Sequence, residues 1–177
     1  MTNKVYIAAS LDGFIARTSG DLEWLEEIPN PNGEDFGFAR FMESVDALVM
    51  GKNTFEKVLS FGGDWPYTKK VFVLSRSLKE IDSRLGGKVE LLALELLDAL
   101  KLVAERGYRN LYIDGGKVIQ SFLEKDLIDE MTITRIPILL GQGIPLFVPQ
   151  PFEKKFVHEK TEVFENGLVK SKYNRVK

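Results

Sequence analysis

The chain of 177 residues carries 24 basic and 26 acidic side chains, and its formal net charge of -2 lacks the basic excess that nucleic-acid-binding proteins normally show. It contains no cysteine, which excludes disulfides, thiolate metal ligands and cysteine nucleophiles. Its single histidine, His158, lies in a late charged segment without a second imidazole, so neither a zinc site nor a Ser-His-Asp triad is expected.

The first part of the chain predicts two strands and two helices around one long loop. Residues 5–9 form a short apolar run of the buried-strand type. Residues 12–33 contain glycine and proline and are too many for an ordinary connection, so we expect a functional lid or short helical turns there. A helix is predicted over 35–43, a strand over 47–50 and a short helix over 54–59.

The middle of the chain alternates strands with helices. Strands are predicted over 71–74, 89–92 and 110–113 because each is a short apolar run. Residues 94–106 predict an amphipathic helix, since their leucine, valine and alanine side chains fall on one stripe. A further helix is predicted over 118–124.

The last part of the chain predicts three strands. The first covers 130–137 and leads into a Gly-Gln-Gly loop at 141–143. Residues 155–164 and 168–175 flank Asn166-Gly167, the strongest short-range hairpin signal. Imperfect alternation in the first hairpin strand allows a β-bulge.

Strands that alternate with helices predict an α/β fold with a mostly parallel central sheet, and the C-terminal hairpin adds antiparallel strands at one edge. No linker divides the chain, so residues 1–177 are expected to form a single domain. There is no apolar run near the roughly 20 residues that span a bilayer, and no signal-peptide pattern. We therefore expect no membrane partner and a cytoplasmic location.

Ligands of such sheets collect at the carboxyl ends of the strands, where Gly51-Lys52-Asn53-Thr54 follows one strand directly. The backbone N–H groups of residues 52–54 and the Thr54 hydroxyl could donate to a pyrophosphate, and Lys52 would supply positive charge. A capped helix with a surface lysine explains the same residues, and the segment alone does not separate the two interpretations.

Two further turns are expected at the same edge. Ser75-Arg76-Ser77 follows a strand, and a planar guanidinium flanked by hydroxyls suits a phosphate monoester, although a plain surface turn is the commoner explanation. At Gly115-Gly116 the backbone could approach a ligand closely, with the next three amides facing a phosphate; a tight strand-to-helix turn would also use glycine.

One pair of residues could act on a substrate. If the first helix and the 130–137 strand face each other, the Asp35 carboxylate and the Thr134 hydroxyl could orient or protonate a nitrogen heterocycle. The alternative for Asp35 is a carboxylate favoured by the helix dipole. Aromatic rings at Trp24, Phe36 and Trp65 could stack on a substrate, but core or lid packing is the commoner use of such residues.

These elements, in this order, resemble the dihydrofolate reductase superfamily nearly from end to end. Residues 7–16 resemble its first strand and the start of its mobile active-site loop, and residues 49–56 resemble its M-G-K/R-x-T-x-E phosphate turn. Residues 73–76 are similar to its segment for the adenosine 2′-phosphate of NADPH, and Gly115-Gly116 to its paired glycines under the pyrophosphate. The resemblance implies a dihydrofolate reductase-like three-layer α/β/α fold.

Within the superfamily, the reductase domain of riboflavin biosynthesis is the closer match. Ser10-Leu11-Asp12-Gly13 is typical of that branch, as are an acidic residue before the glycine pair, here Asp114, and the residues 137–147. Lys52 departs from the usual arginine, which keeps the charge but loses bidentate geometry. A fused deaminase half is not found in these 177 residues, so deamination would need another protein.

The resemblance implies an NADPH-dependent reductase of a small nitrogen-heterocyclic substrate, similar to 5-amino-6-(5-phosphoribosylamino)uracil reductase. Implied cofactor contacts are Ala8, Ile15, Gly51, Lys52, Asn53, Thr54, Leu74, Ser75, Arg76, Gly115, Gly116, Lys117, Val118 and Ile119. Asp35 is the implied catalytic residue, and the implied substrate contacts are Trp24, Phe36, Asp114 and Thr134. Two alternatives stay open, namely a dihydrofolate or pterin reductase and a non-catalytic NADPH-binding regulatory protein. Proteins of this branch commonly form dimers, so a homodimer is expected.

Overall fold

The computed structural model describes residues 1–176. Its strands in chain order are β1 (Thr2–Ser10), β2 (Phe14–Ala16), β3 (Ala47–Gly51), β4 (Lys70–Leu74), β5 (Val89–Leu92), β6 (Asn110–Asp114), β7 (Glu130–Ile136), β8 (Ile144–Pro145), β9 (Phe156–Val163) and β10 (Val169–Arg175). Its helices are α1 (Glu23–Glu26), α2 (Phe38–Glu43), α3 (Lys52–Ser60), α4 (Leu96–Glu105) and α5 (Gly116–Glu124), with a 3-10 turn at Ser83–Leu85.

Eight strands form the central sheet in the order β5-β4-β3-β6-β1-β7-β10-β9. The strands from β5 to β7 run parallel to their neighbours, whereas β10 is antiparallel to both β7 and β9. The predicted mostly parallel sheet with an antiparallel C-terminal hairpin is therefore confirmed. Glu159 is the extra residue of a bulge in β9, because the pairing passes from Lys160 to His158 across one step of β10.

Helices cover both faces of the sheet, which gives the predicted three layers. On one face, α4 and α5 bury Val103 and Phe122 in the cluster that contains Ile113 of β6. The opposite face belongs to α2 and α3, whose cluster contains the adjacent Tyr112. Successive side chains of a strand point to opposite faces, so this one strand contributes to both cores.

The long loop predicted over 12–33 contains two short elements. Strand β2 pairs with β8 in a separate two-stranded sheet, and α1 occupies the far part of the loop. Neither β2 nor β8 was predicted, because a strand of two or three residues carries no measurable alternation. The first long helix begins at Phe38 rather than at Asp35, which changes the interpretation of Asp35. Within residues 1–176, no helix is both long enough and apolar enough to cross a bilayer.

Candidate functional site

Strand register brings the three predicted phosphate turns to one edge of the sheet. The neighbouring strands β4, β3 and β6 end there, with Gly51 opposite Leu74 and Met50 opposite Asp114. Because parallel strands share their carboxyl edge, the turns after these strands lie side by side. We call this edge, from residues 51–54 through 74–76 to 115–119, the three-turn rim.

Two helices of the rim begin without a capping side chain. Helix α3 starts after Gly51 and α5 after Gly115, and a glycine has no side chain with which to accept from the first-turn N–H groups. Each helix is nine residues long. Exposed N–H groups and the positive end of the helix dipole therefore face the rim at two places, an arrangement suited to a phosphate.

The two glycine turns are packed against each other. Gly115 has a φ of +90°, and a Cβ atom added there would lie 2.0 Å from Thr54 Oγ1. A Cβ atom on Gly116 would lie 2.7 Å from Ile15 Cδ1. Gly115 therefore requires glycine for its backbone conformation and for this close approach, whereas a Cβ on Gly116 would need only the terminal methyl of Ile15 to move. The same contacts join Thr54 and Ile15, two predicted cofactor contacts, to the second turn.

The cations of the rim have carboxylate neighbours. Lys52 Nζ lies 3.6 Å from Glu56 Oε1 one helical turn away, and Arg76 forms an ion pair with Glu95. The Ser75 hydroxyl oxygen accepts from the backbone N–H groups of Ser77 and Leu78 at 3.2 and 3.0 Å, which fixes the turn that carries Arg76. Glu95 was not identified from the sequence, because it lies 19 residues from Arg76 along the chain.

Next to the rim, the pairing between β1 and β6 stops early. It ends with Lys4 opposite Tyr112, although both strands continue toward their carboxyl ends. The carbonyl of Tyr6 accepts from the side-chain hydroxyl of Tyr112 on β6 at 3.0 Å, and not from a backbone N–H of that strand. Ala8 follows on β1 and Asp114 on β6, so two predicted ligand contacts lie where the two strands are no longer paired.

Asp114 combines a rim position with an unusual environment. The residue keeps some exposed surface, yet burial of its carboxyl raises its pKa to about 6. Nearby, burial and secondarily the Asp114 charge raise the pKa of the Tyr67 phenol well above its usual range. The Tyr67 ring lies 5.4 Å from that of Trp65, and the Trp65 indole N–H is buried with no hydrogen-bond partner among the described residues. Tyr67 was not identified, since no motif includes it.

Asp35 stabilises the start of helix α2 from a position two residues before the N-cap residue, Gly37. Its two carboxylate oxygens accept from the backbone N–H groups of Gly37 and Ala39, each at 2.8 Å. These hydrogen bonds hold the pKa of the exposed Asp35 carboxyl below its usual value, which makes it a poor proton donor near neutral pH. The dipole-favoured interpretation thus describes its contacts better than the catalytic one.

Thr134 and Asp35 do not form the predicted pair within the described residues. Thr134 is buried in β7, where its neighbours in the sheet are Ala8 of β1 and Lys170 of β10. No hydrogen bond joins it to Asp35 among the contacts of residues 1–176. Asp35 does not reach Thr134 because the segment 34–37 makes other contacts. In one of them, the Tyr6 hydroxyl donates to the Phe36 carbonyl at 2.7 Å.

Two of the aromatic residues proposed to contact a substrate, Trp24 and Phe36, pack within the protein. Trp24 is fully buried in a small cluster with Ile136 and Leu168, so its ring offers no exposed surface for stacking. Phe36 contacts Phe164 edge to face, with ring centroids 5.0 Å apart. The packing interpretation describes both rings; Phe36 alone retains some exposed surface.

A cleft of about 500 Å³ lies beside α2, away from the three-turn rim. Asp35, Tyr6 and Thr132 are among the residues that line it. Two of its lysines have acidic partners: Lys172 Nζ lies 3.1 Å from Glu130 Oε2, and Lys170 pairs with Glu162. Lys4 and Arg40 line the same cleft and form no ion pair among residues 1–176.

Asp12 connects the loop after β1 to the segment 137–147. Its carboxylate accepts from the Ser10 hydroxyl at 2.5 Å and from the backbone N–H groups of Leu140 and Gly141 at 3.2 and 2.7 Å. The Ser10 hydroxyl oxygen in turn accepts from the N–H of Phe14 at 2.9 Å. These hydrogen bonds, led by that from Ser10, lower the pKa of the Asp12 carboxyl. The motif that contains Asp12 is thus a connection between two segments.

Replacing Asp35 with alanine is expected to lower thermal stability by a few degrees, because the N–H groups of Gly37 and Ala39 at the start of α2 lose their acceptor. The folded pKa lies below the unfolded value, so the wild-type contribution is present near neutral pH and is lost as pH falls through the folded pKa. Melting curves at neutral and strongly acidic pH measure this difference. An equal melting temperature at neutral pH would contradict the capping role.

Comparison with known proteins agrees with this geometry. The chain matches the RibD C-terminal domain family over residues 4–170. The uncharacterized protein YwjB of Bacillus subtilis (strain 168) is 35% identical over 166 residues, which are 93% of this chain and 92% of YwjB. A solved structure from Shewanella sp. PV-4, named provisionally as a riboflavin biosynthesis protein, is 50% identical with a TM-score of 0.96 and full coverage of both chains.

A more distant solved structure shows the same fold. It is the diaminohydroxyphosphoribosylaminopyrimidine deaminase/5-amino-6-(5-phosphoribosylamino)uracil reductase of Thermotoga maritima, with a TM-score of 0.74 and 17% identity. The match covers 99% of this chain and 56% of that protein. These likenesses confirm both the predicted resemblance and the dihydrofolate reductase-like fold.

Proposed function

Because the chain belongs to the RibD C-terminal domain family, we propose that it is an NADPH-dependent reductase of a small nitrogen-heterocyclic substrate, similar to 5-amino-6-(5-phosphoribosylamino)uracil. The observation that carries the proposal is the three-turn rim. It combines two uncapped helix N-termini with two cations at the carboxyl edge of a parallel sheet. A dinucleotide is a ligand whose separate phosphate groups match such an arrangement.

The residues of the rim fit the parts of NADPH. The first-turn amides of α3 and α5 would bind the pyrophosphate, with Lys52 adding charge. Arg76 would bind the adenosine 2′-phosphate, because a guanidinium fork matches two phosphate oxygens. Ala8 and Ile15 would flank the nicotinamide where β1 leaves its partner strand. When bound, NADPH supplies the hydride, and the protein contributes binding, orientation and charge.

Reduction of a C=N or C=O group also requires a proton, and Asp114 is the better donor. Its pKa of about 6 leaves a protonated fraction near neutral pH, whereas hydrogen bonds lower the pKa of Asp35. We therefore propose that the Asp114 carboxyl donates its proton to the nitrogen or oxygen atom of the substrate. Thr134, beside Ala8 in the sheet, would contact the substrate.

A binding experiment on the pyrophosphate site tests the proposal. The purified protein should quench or shift NADPH fluorescence on binding, and Lys52→Ala should weaken NADPH and NADH alike, by roughly 5- to 10-fold. Both dinucleotides contain the pyrophosphate, so equal losses are expected. Lys57→Ala is the matched control, since Lys57 carries the same charge in the last turn of the same helix.

Two results would argue against this function. If neither dinucleotide binds the wild-type protein, the rim is not a dinucleotide site and the proposal fails. If both bind but hydride is not transferred to pyrimidine or pterin substrates, the protein binds NADPH without reducing them, and the regulatory alternative is favoured.

A further inference from the structure

Arg76 has a carboxylate neighbour that follows from the sheet register. Leu74 of β4 pairs with Leu92 of β5, and the Ser75 N–H extends this pairing by donating to the Leu92 carbonyl at 3.2 Å. Arg76 and Glu95 lie just beyond these paired residues. Two adjacent strand ends therefore place one guanidinium and one carboxylate together on the rim.

The ion pair between these side chains is open to solvent. Arg76 is 68% exposed and Glu95 is 69% exposed. The Ser75 hydroxyl oxygen, by accepting from two backbone amides, holds the turn so that Arg76 projects from it. Exposed pairs of this kind are weak, so a ligand can replace either partner without a large loss.

Arginine and a carboxylate recognise two different forms of the same ribose. In dinucleotide sites, an acidic side chain accepts from the 2′-hydroxyl of NADH, whereas an arginine binds the 2′-phosphate of NADPH. This rim holds one of each in contact. A 2′-phosphate must displace Glu95 from Arg76 and then lie near its negative charge, while a 2′-hydroxyl can donate to Glu95 with the pair intact.

We propose that Glu95 is the residue that sets the choice between the two nicotinamide cofactors, because it competes with the 2′-phosphate for Arg76 and accepts from the 2′-hydroxyl. The inference rests on the proposed function and deepens it. Its consequence is that the protein binds NADH as well as NADPH, with a smaller preference for NADPH than Arg76 alone would give.

Titrations with four ligands test the proposal: NADPH, NADH, 2′,5′-ADP and 5′-AMP. In Glu95→Gln, the dissociation constants of NADPH and 2′,5′-ADP should fall by about 3- to 10-fold, because one repulsive charge and one competitor are removed. The constant of NADH should rise by about 2- to 5-fold, since an amide is a weaker acceptor than a carboxylate.

Two comparisons make the result specific. Asp98→Asn removes the same charge from the first turn of α4, the helix that Glu95 precedes. It should change the dissociation constant of neither NADPH nor NADH by more than about 2-fold at physiological salt. Arg76→Ala should weaken NADPH by at least about 10-fold and leave NADH nearly unchanged.

The outcomes separate this inference from the proposed function. A lower dissociation constant for NADPH together with a higher one for NADH in Glu95→Gln supports the role of Glu95. Equal shifts, or none, in a protein that binds both dinucleotides overturn the role of Glu95 and leave the reductase proposal standing. A wild-type protein that binds neither dinucleotide overturns both.

Discussion

Replacing Asp114 with asparagine is expected to lower the turnover of the reductase by about 10²- to 10⁴-fold, the usual contribution of a positioned acid. Asparagine keeps the size of the side chain and removes the proton that we assign to the substrate. The dissociation constant of NADPH should change by less than about 3-fold, because the phosphate contacts of the rim are untouched. Steady-state kinetics and fluorescence titration measure the two quantities separately.

The pH dependence of turnover provides a second readout for Asp114. The acid form is the active one, so kcat should fall as pH rises through the pKa of about 6. In Asp114→Asn the residual rate should lose this dependence. The same decline with pH in the variant would assign the proton to another group.

The Asp114→Asn substitution should change stability in the opposite direction to turnover. The folded pKa is raised, so the favourable contribution of the protonated form is complete below the unfolded pKa and is lost as pH rises through about 6. At pH 8 the wild-type protein buries a charge, and Asp114→Asn should be more stable than wild type by up to about 3 kcal/mol. Denaturant unfolding at pH 8 tests this sign.

Asp35→Asn is the matched control for these experiments. Asparagine keeps one acceptor oxygen but turns an amide nitrogen toward the other backbone N–H, so turnover should stay close to wild type while stability falls modestly. A collapse of turnover in Asp35→Asn, together with an active Asp114→Asn, would reverse the two assignments.

The second large effect is expected at Gly115. Gly115→Ala should lower the free energy of unfolding by about 2 to 4 kcal/mol, from the left-handed backbone and from the collision of its methyl group with Thr54. If the variant still folds, its dinucleotide affinity should fall, because the first turn of α5 must shift. Denaturant unfolding and NADPH titration measure the two losses.

Two further variants separate the backbone cost of Gly115→Ala from the cost of its collision with Thr54. Gly107 has a φ of +92° with no atom within 4 Å of an added Cβ, so Gly107→Ala should show the backbone cost alone, about 1 to 2 kcal/mol. Adding Thr54→Ala to Gly115→Ala removes the hydroxyl at 2.0 Å and should recover part of the loss. Equal effects of Gly107→Ala and Gly115→Ala would show that the contact with Thr54 is unimportant.

Local sequence signals predicted most of the fold. Hydrophobic runs located the strands of the main sheet, and Asn166-Gly167 located the hairpin, because each signal depends on neighbours in the chain. The strand-glycine-helix pattern at Gly51 and Gly115 predicted the two helix N-termini of the rim for the same reason.

Long-range contacts were not predictable from these signals. The raised pKa of Asp114 depends on the packing of distant residues around its carboxyl, and the partner of Arg76 depends on the register of β4 with β5. The resemblance implied Asp35 as the catalytic residue. A resemblance between sequences cannot show that backbone N–H groups at the start of α2 occupy both of its carboxylate oxygens.

The hydrogen bonds of Asp12 affect how fast the loop after β1 and the segment 137–147 open. They tie the start of the loop after β1 to Leu140 and Gly141, and β2 pairs with β8 beyond them. The two segments should therefore open as one cooperative unit, so that the amides of Phe14, Leu140 and Gly141 exchange with deuterium at a common rate. Asp12→Asn should speed all three together, and the loop would then admit a ligand faster and release it faster.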